Sequence, residues 1–125
     1  MNPRVLIVDD ELEVLELIDF KLSGQGFAVI RASNGVEALN KARCEVPDVI
    51  VLDLMLPDID GLSVCNILGA QPSTRDVPVV VYSVLDPSLM GANSAKRKVA
   101  HWVKKGSDLQ VLCDCVRSCC FGKCA

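Results

Sequence analysis

Five short β-rich runs recur along the chain, RVLIV (4–8), FAVIRA (27–32), DVIVL (48–52), VPVVVY (77–82) and AHWVKK (100–105), and a longer amphipathic stretch fills each interval. Most of these runs are apolar without a polar alternation, which suits strands covered on both faces rather than strands with one wet side. Strands that alternate with helices build a parallel sheet with helices above and below it. The alternation therefore predicts an α/β fold: a five-stranded parallel sheet sandwiched between helices.

The intervals carry the helical period. ELEVLELIDFKLSGQG (11–26) spaces Val14, Leu15, Ile18 and Leu22 along one face and stops at glycines. NGVEALNKAR opens a second helix, with Asn34 as its N-cap and Glu37 placed to complete a capping box. GLSVCNILG forms a short third helix after the Pro57 to Gly61 loop. DPSLMGANSAKRKVA (86–100) contains Gly91, Asn93 and Ser94, which predict a weak and mobile fourth helix. SDLQVLCDCVRSCCF ends the pattern, with Leu109, Leu112, Val116 and Cys119 or Cys120 on its inner face.

A chain of 125 residues fits one domain, 1–125, with no internal repeat or linker, and half of it is hydrophobic, which argues against disorder. A net charge of −3 gives no reason to expect nucleic acid or an anionic membrane as partner. No charged-then-apolar leader opens the sequence and no apolar run approaches the ~18 residues of a membrane span, so a cytoplasmic protein is expected. Five of the seven cysteines (Cys113, Cys115, Cys119, Cys120 and Cys124) crowd the last thirteen residues, which is no disulfide framework. Cys115 with Cys119, and Cys120 with Cys124, have a spacing a metal or a dimer disulfide uses. No histidine lies nearby to complete a usual zinc set, and packing as small hydrophobes is the plainer reading.

Parallel strands point the same way, so the residues that end them gather along one edge of the sheet, where open α/β sheets bind ligands. Here those residues are Asp9-Asp10, Asp53, Ser83 and Lys104-Lys105. Taken singly, each aspartate reads as an ordinary cap or turn residue. Taken together, three carboxylates repel one another unless a cation neutralises them, and hard oxygen ligands suit Mg²⁺. Beside Mg²⁺ and Lys105, an ionised Asp53 has the makings of a nucleophile towards phosphorus.

On the Asp9-Asp10 pair, Asp53, the LPDIDG that follows it, Ser83 and Lys105, the chain resembles the receiver domain of two-component response regulators over essentially its whole length. The resemblance implies the flavodoxin-like strand order 2-1-3-4-5. It implies that Asp53 accepts a phosphoryl group from a phosphohistidine on a sensor kinase or phosphotransfer protein. It implies Mg²⁺ held by Asp10, Asp53 and the backbone carbonyl of Met55, with Asp9 acting directly or through water. Ser83 and Lys105 would grip the phosphoryl oxygens, and the inward turn of Ser83 would open space for Trp102. The surface so switched would be the fourth helix, fifth strand and last helix, which would meet a downstream output domain or protein, or a second copy in a homodimer. The alternative for Trp102 is a plain core residue that never moves.

Departures from the family pattern sharpen these expectations. Val84 stands where Ala or Gly is usual, so it should crowd the entrance and slow phosphotransfer. Met55 and Leu85 are apolar at the two positions expected to flank the phosphoryl group; neither orients water, which predicts a long-lived phosphoaspartate. Gly106 follows Lys105 where proline in a cis bond is frequent, so a trans bond is expected there. His101 reads as a surface or edge residue, and KRK (96–98) with Lys104 as a solvated face. Two rivals stand beside this reading. A small phosphatase of the haloacid dehalogenase type would need an aspartate at position 55, and a degenerate receiver, used only for binding, sits poorly with the intact site residues. Nothing after the last helix resembles an output domain, so the chain reads as a stand-alone receiver or one cut from a longer protein.

Overall fold

The computed structural model describes residues 2–85 and 99–122. Its elements are β1 (Arg4–Val8), α1 (Leu12–Ser23), β2 (Ala28–Ala32), α2 (Gly35–Glu45), β3 (Val49–Leu52), α3 (Gly61–Ala70), β4 (Val79–Ser83), β5 (His101–Lys104) and α4 (Leu109–Arg117). A wider helical turn over Ser118–Gly122 continues α4. Nearly all of the predicted fourth helix, the KRK run and Cys124 lie outside the described residues; α4 is therefore the last predicted helix.

The five strands form one parallel sheet in the order β2-β1-β3-β4-β5, as expected. Successive side chains of a strand face opposite sides, and both sides are apolar. Val5, Ile7, Val49, Val51 and Val80 pack with Leu15, Ile18, Leu22, Leu112 and Val116 on the α1–α4 face. Leu6, Val8, Ile50, Leu52, Val79 and Val81 pack with Ala38, Ala42, Val64 and Leu68 on the α2–α3 face. Burial on both faces is why β1, β3 and β4 read as unbroken apolar runs.

Local chemistry fixes the ends of the elements, with one shift from expectation. Asn34 Oδ1 accepts the Glu37 N–H at 2.8 Å, as an N-cap should, but Glu37 reaches past Asn34 to accept the N–H of Ser33 at 2.8 Å. The box closes one residue upstream of its usual place. At the other end of α2, Val46 sits in the left-handed region at φ 42°, a conformation a β-branched side chain resists.

Among the described residues, the cysteine-rich end packs against the α1–α4 face. Cys113 is fully buried on the α1–α4 face, and Cys115, Cys119 and Cys120 lie partly buried against the same core. Burial pushes the thiols of Cys113 and Cys115 up and that of Cys120 up to about 11, which favours the neutral form in this apolar setting. Cys113, absent from the predicted inner face, is the most deeply placed of those four.

Candidate functional site

Backbone hydrogen bonds carry the sheet register past the strand ends and bring the polar terminators together. The Asp53 N–H donates to the carbonyl of Val8 at 3.1 Å, the Asp9 N–H to Ala32 at 3.1 Å, and the Lys105 N–H to Ser83 at 2.9 Å. Asp9, Asp53 and Lys105 thus each hang from a neighbouring strand. Asp9, Asp10 and Asp53 each offer a carboxylate oxygen within 4.8 Å of the others.

The loop after β3 is held by its own aspartates. Asp58 accepts the N–H groups of Gly35 at 2.7 Å and Val36 at 2.9 Å, tying the loop to the start of α2. Asp60 caps α3 by accepting the Ser63 N–H at 3.0 Å. These hydrogen bonds hold both carboxyls below the ordinary aspartate value. Gly61 must be glycine: a Cβ there would lie 2.7 Å from the Asp53 carbonyl oxygen and would collide with the Leu54 backbone. The LPDIDG motif is in this sense a scaffold for Asp53, a role the sequence reading did not assign to Asp58 or Asp60.

Lys105 is the hub. Its Nζ donates to Asp53 Oδ2 at 2.9 Å, lies 2.7 Å from Asp9 Oδ2 and 3.7 Å from Glu11 Oε1, and sits 5.9 Å over the Tyr82 ring. Burial works against the ammonium, but Asp9 and Asp53 outweigh it and raise the lysine above its ordinary value. Asp53 Oδ1 accepts the Met55 N–H at 3.1 Å, so both of its oxygens are held. Asp9 Oδ1 accepts the Glu11 N–H at 2.9 Å. Its Oδ2 meets Lys105 out of line for a hydrogen bond and is, among the described residues, a buried oxygen left without such a partner. Burial raises the Asp9 carboxyl above its ordinary range, and the charge of Asp53 adds to the rise against the pull of Lys105.

A cavity of about 340 Å³ opens above these groups, lined by Asp10, Glu11, Asp53, Met55, Val84 and Lys105. Met55 and Val84 are each 54% exposed on its wall. Leu85 is placed differently from expectation: its side chain packs against the α2–α3 core instead of lining the cavity. Its backbone links two other predicted residues. The Leu85 N–H donates to Ser83 Oγ at 3.3 Å, and the Leu85 carbonyl accepts Trp102 Nε1–H at 3.0 Å. Trp102 is partly buried against the α2–α3 core, and His101 is half-buried on the edge strand. No cis peptide occurs among the described residues, so the Lys105-Gly106 bond is trans, and Gly106 takes φ +101°.

Two contributors were missed from the sequence. Glu11 directly follows the acidic pair, and Tyr82 directly precedes Ser83; adjacency to the motif was the signal for both.

Residues 5–117 match the response regulator receiver domain family. The chain belongs to that family. Relatives include the alkaline phosphatase synthesis transcriptional regulatory protein PhoP of Bacillus subtilis, 51% identical over 57% of this chain and 30% of PhoP. The response regulator PleD of Caulobacter vibrioides is 41% identical over 69% of this chain and 19% of PleD. The chain thus spans less than a third of the length of either relative. Among solved structures, the receiver domain of Francisella response regulator 1452 superposes with a TM-score of 0.85 at 30% identity, covering 94% of this chain and 96% of that one. A sensor protein from Polaromonas sp. JS666 gives 0.90 at 27% identity, covering 98% of each. Among the described residues no helix is long and apolar enough to cross a membrane.

Proposed function

We propose that this receiver accepts a phosphoryl group at Asp53 from a phosphohistidine of a sensor kinase or phosphotransfer protein, with Mg²⁺, and relays the event to a downstream output domain or protein. The observation that carries the reading is the setting of Asp53: a buried carboxylate that lines an open cavity, beside Asp9 and Asp10 and 2.9 Å from Lys105. The buried Asp9 carboxylate and the all-oxygen donor set fit Mg²⁺, which Asp9, Asp10, Asp53 and the Met55 carbonyl would hold. When bound, the ion neutralises the carboxylates and the phosphoryl oxygens.

In the transfer, an Asp53 oxygen forms the bond to phosphorus as the phosphorus–nitrogen bond breaks; the electron pair leaves with the imidazole nitrogen, which takes a proton from solvent. Lys105 then shifts its charge from the two aspartates to the phosphoryl oxygens. Ser83 turns its hydroxyl to donate to the same group and gives up the Leu85 N–H. Because the Leu85 carbonyl holds the Trp102 indole, that turn loosens Trp102 on β5. The output face is the surface of β5 and α4, joined by the predicted fourth helix that lies outside the described residues, and it would meet an effector or a second copy in a homodimer. The chemistry is confined to Asp53 and is slow to reverse, so the protein is a cytoplasmic switch, not an enzyme. The phosphatase alternative lacks its second carboxylate, since Met55 occupies the place.

Incubation with Mg²⁺ and a small acyl phosphate, read by intact mass, tests this. One added phosphoryl group in the wild type and none in Asp53→Asn is the expected result. An unmodified wild type, or modification that persists in the variant, would refute it.

A further inference from the structure

Glu11 is the charged residue on the cavity wall that the proposed chemistry leaves unused. It stands at the N-cap of α1, yet its side chain makes no capping hydrogen bond. Its backbone N–H is fixed on Asp9 Oδ1, which anchors the stem, and the carboxylate reaches instead to 3.7 Å from Lys105 Nζ while remaining 64% exposed at the opening. Among the described residues, Glu11 thereby joins Asp9, Asp10 and Asp53 against the ammonium of Lys105 at this site. Any bound divalent cation is common to every donor; the Glu11 charge remains, and incoming anions pass it.

We infer that Glu11 is a specificity-determining residue that biases the site against dianionic acyl phosphates and towards N-phosphoryl donors of lower negative charge. This inference rests on the phosphoacceptor reading of Asp53 and names the donor class that the site favours. Coulomb repulsion scales with the charge of the donor, so one added carboxylate penalises a dianion more than a monoanion. The transfers also differ in what departs. With an acyl phosphate, the Asp53 oxygen–phosphorus bond forms while the donor's oxygen–phosphorus bond breaks, and a carboxylate anion leaves past Glu11. With a phosphoramidate, the phosphorus–nitrogen bond breaks, the pair stays on a nitrogen that already carries its protons, and neutral ammonia leaves.

The test is the ratio of labelling rate constants for acetyl phosphate and phosphoramidate in wild type, Glu11→Gln and Glu11→Asp, with saturating Mg²⁺ at low ionic strength. At a separation of roughly 7 Å in water, one unit of charge difference predicts that Glu11→Gln shifts the ratio about threefold towards acetyl phosphate. Glu11→Asp keeps the wild-type ratio. The shift disappears near ~1 M salt, where the screening length falls to about 3 Å. A ratio unchanged in Glu11→Gln, or a shift that survives high salt, overturns the inference alone. Failure of both donors to label the wild type overturns the phosphoacceptor reading and this inference with it.

Discussion

At the scale of single residues, the cavity wall assigns different tasks to neighbours in sequence. Met55 and Val84 line the opening, whereas Leu85, one residue further on, turns into the α2–α3 core. Under the proposed function, Met55 and Val84 are therefore the two of these three residues placed to tune the site. Replacing Met55 with Asn puts a hydrogen-bonding group where water must approach a phosphorylated Asp53; one well-placed hydrogen bond shortens the phosphoryl lifetime by up to about tenfold. Removal of the branched side chain in Val84→Ala speeds uptake from a small phosphodonor instead. Loss-of-label and gain-of-label kinetics separate the two, and a Met55→Asn lifetime equal to wild type would rule out the brake. The strand-end residues were legible in the sequence because a parallel sheet forces them to one edge. Leu85 was not, since the turn after β4 decides which way its side chain points, and no periodicity encodes that turn.

At the scale of elements, the two ends of α2 make opposite contributions. Val46 holds a left-handed backbone at 47% exposure, so little packing compensates its strain. Val46→Gly or Val46→Asn raises stability by about 0.5–1 kcal/mol in urea unfolding, and a loss of stability would show that the Val46 side chain packs better than its exposure suggests. The start of α2 is stabilised by Asp58 across the chain. The folded pKa of Asp58 is lowered because the N–H groups of Gly35 and Val36 favour its charged form. Its contribution is therefore present above the ordinary value of 3.8 and lost as pH falls through the lower folded value. Wild type exceeds Asp58→Asn in stability at pH about 6, and the gap closes below 3.8. A gap independent of pH would disprove the linkage. The helices, their order and the Asn34 cap could be read from local pattern, but the Asp58 tie spans 23 residues and needed the fold.

At the scale of the whole molecule, the sheet gathers the carboxylates of Asp9, Asp10 and Asp53 at one edge. A cation that binds only the folded state stabilises it by about 2.7 kcal/mol at a hundredfold excess over its Kd. Tm accordingly rises by several degrees with Mg²⁺ in the wild type. Asp10 is exposed, so Asp10→Asn should fold normally and lose most of that rise; an equal rise in both proteins would place the ion elsewhere. The alternation of strands and helices made the architecture of the described residues readable, and topology, not any single motif, set Asp53 beside Lys105.

Trapping the modified residue chemically tests the central claim most directly. Borohydride reduces an aspartyl phosphate to homoserine, and peptide mapping of the phosphodonor-treated, reduced protein should find homoserine at position 53 and leave Asp9 and Asp10 intact. Homoserine at position 9 or 10, or unaltered aspartate at all three positions after full treatment, would contradict the account.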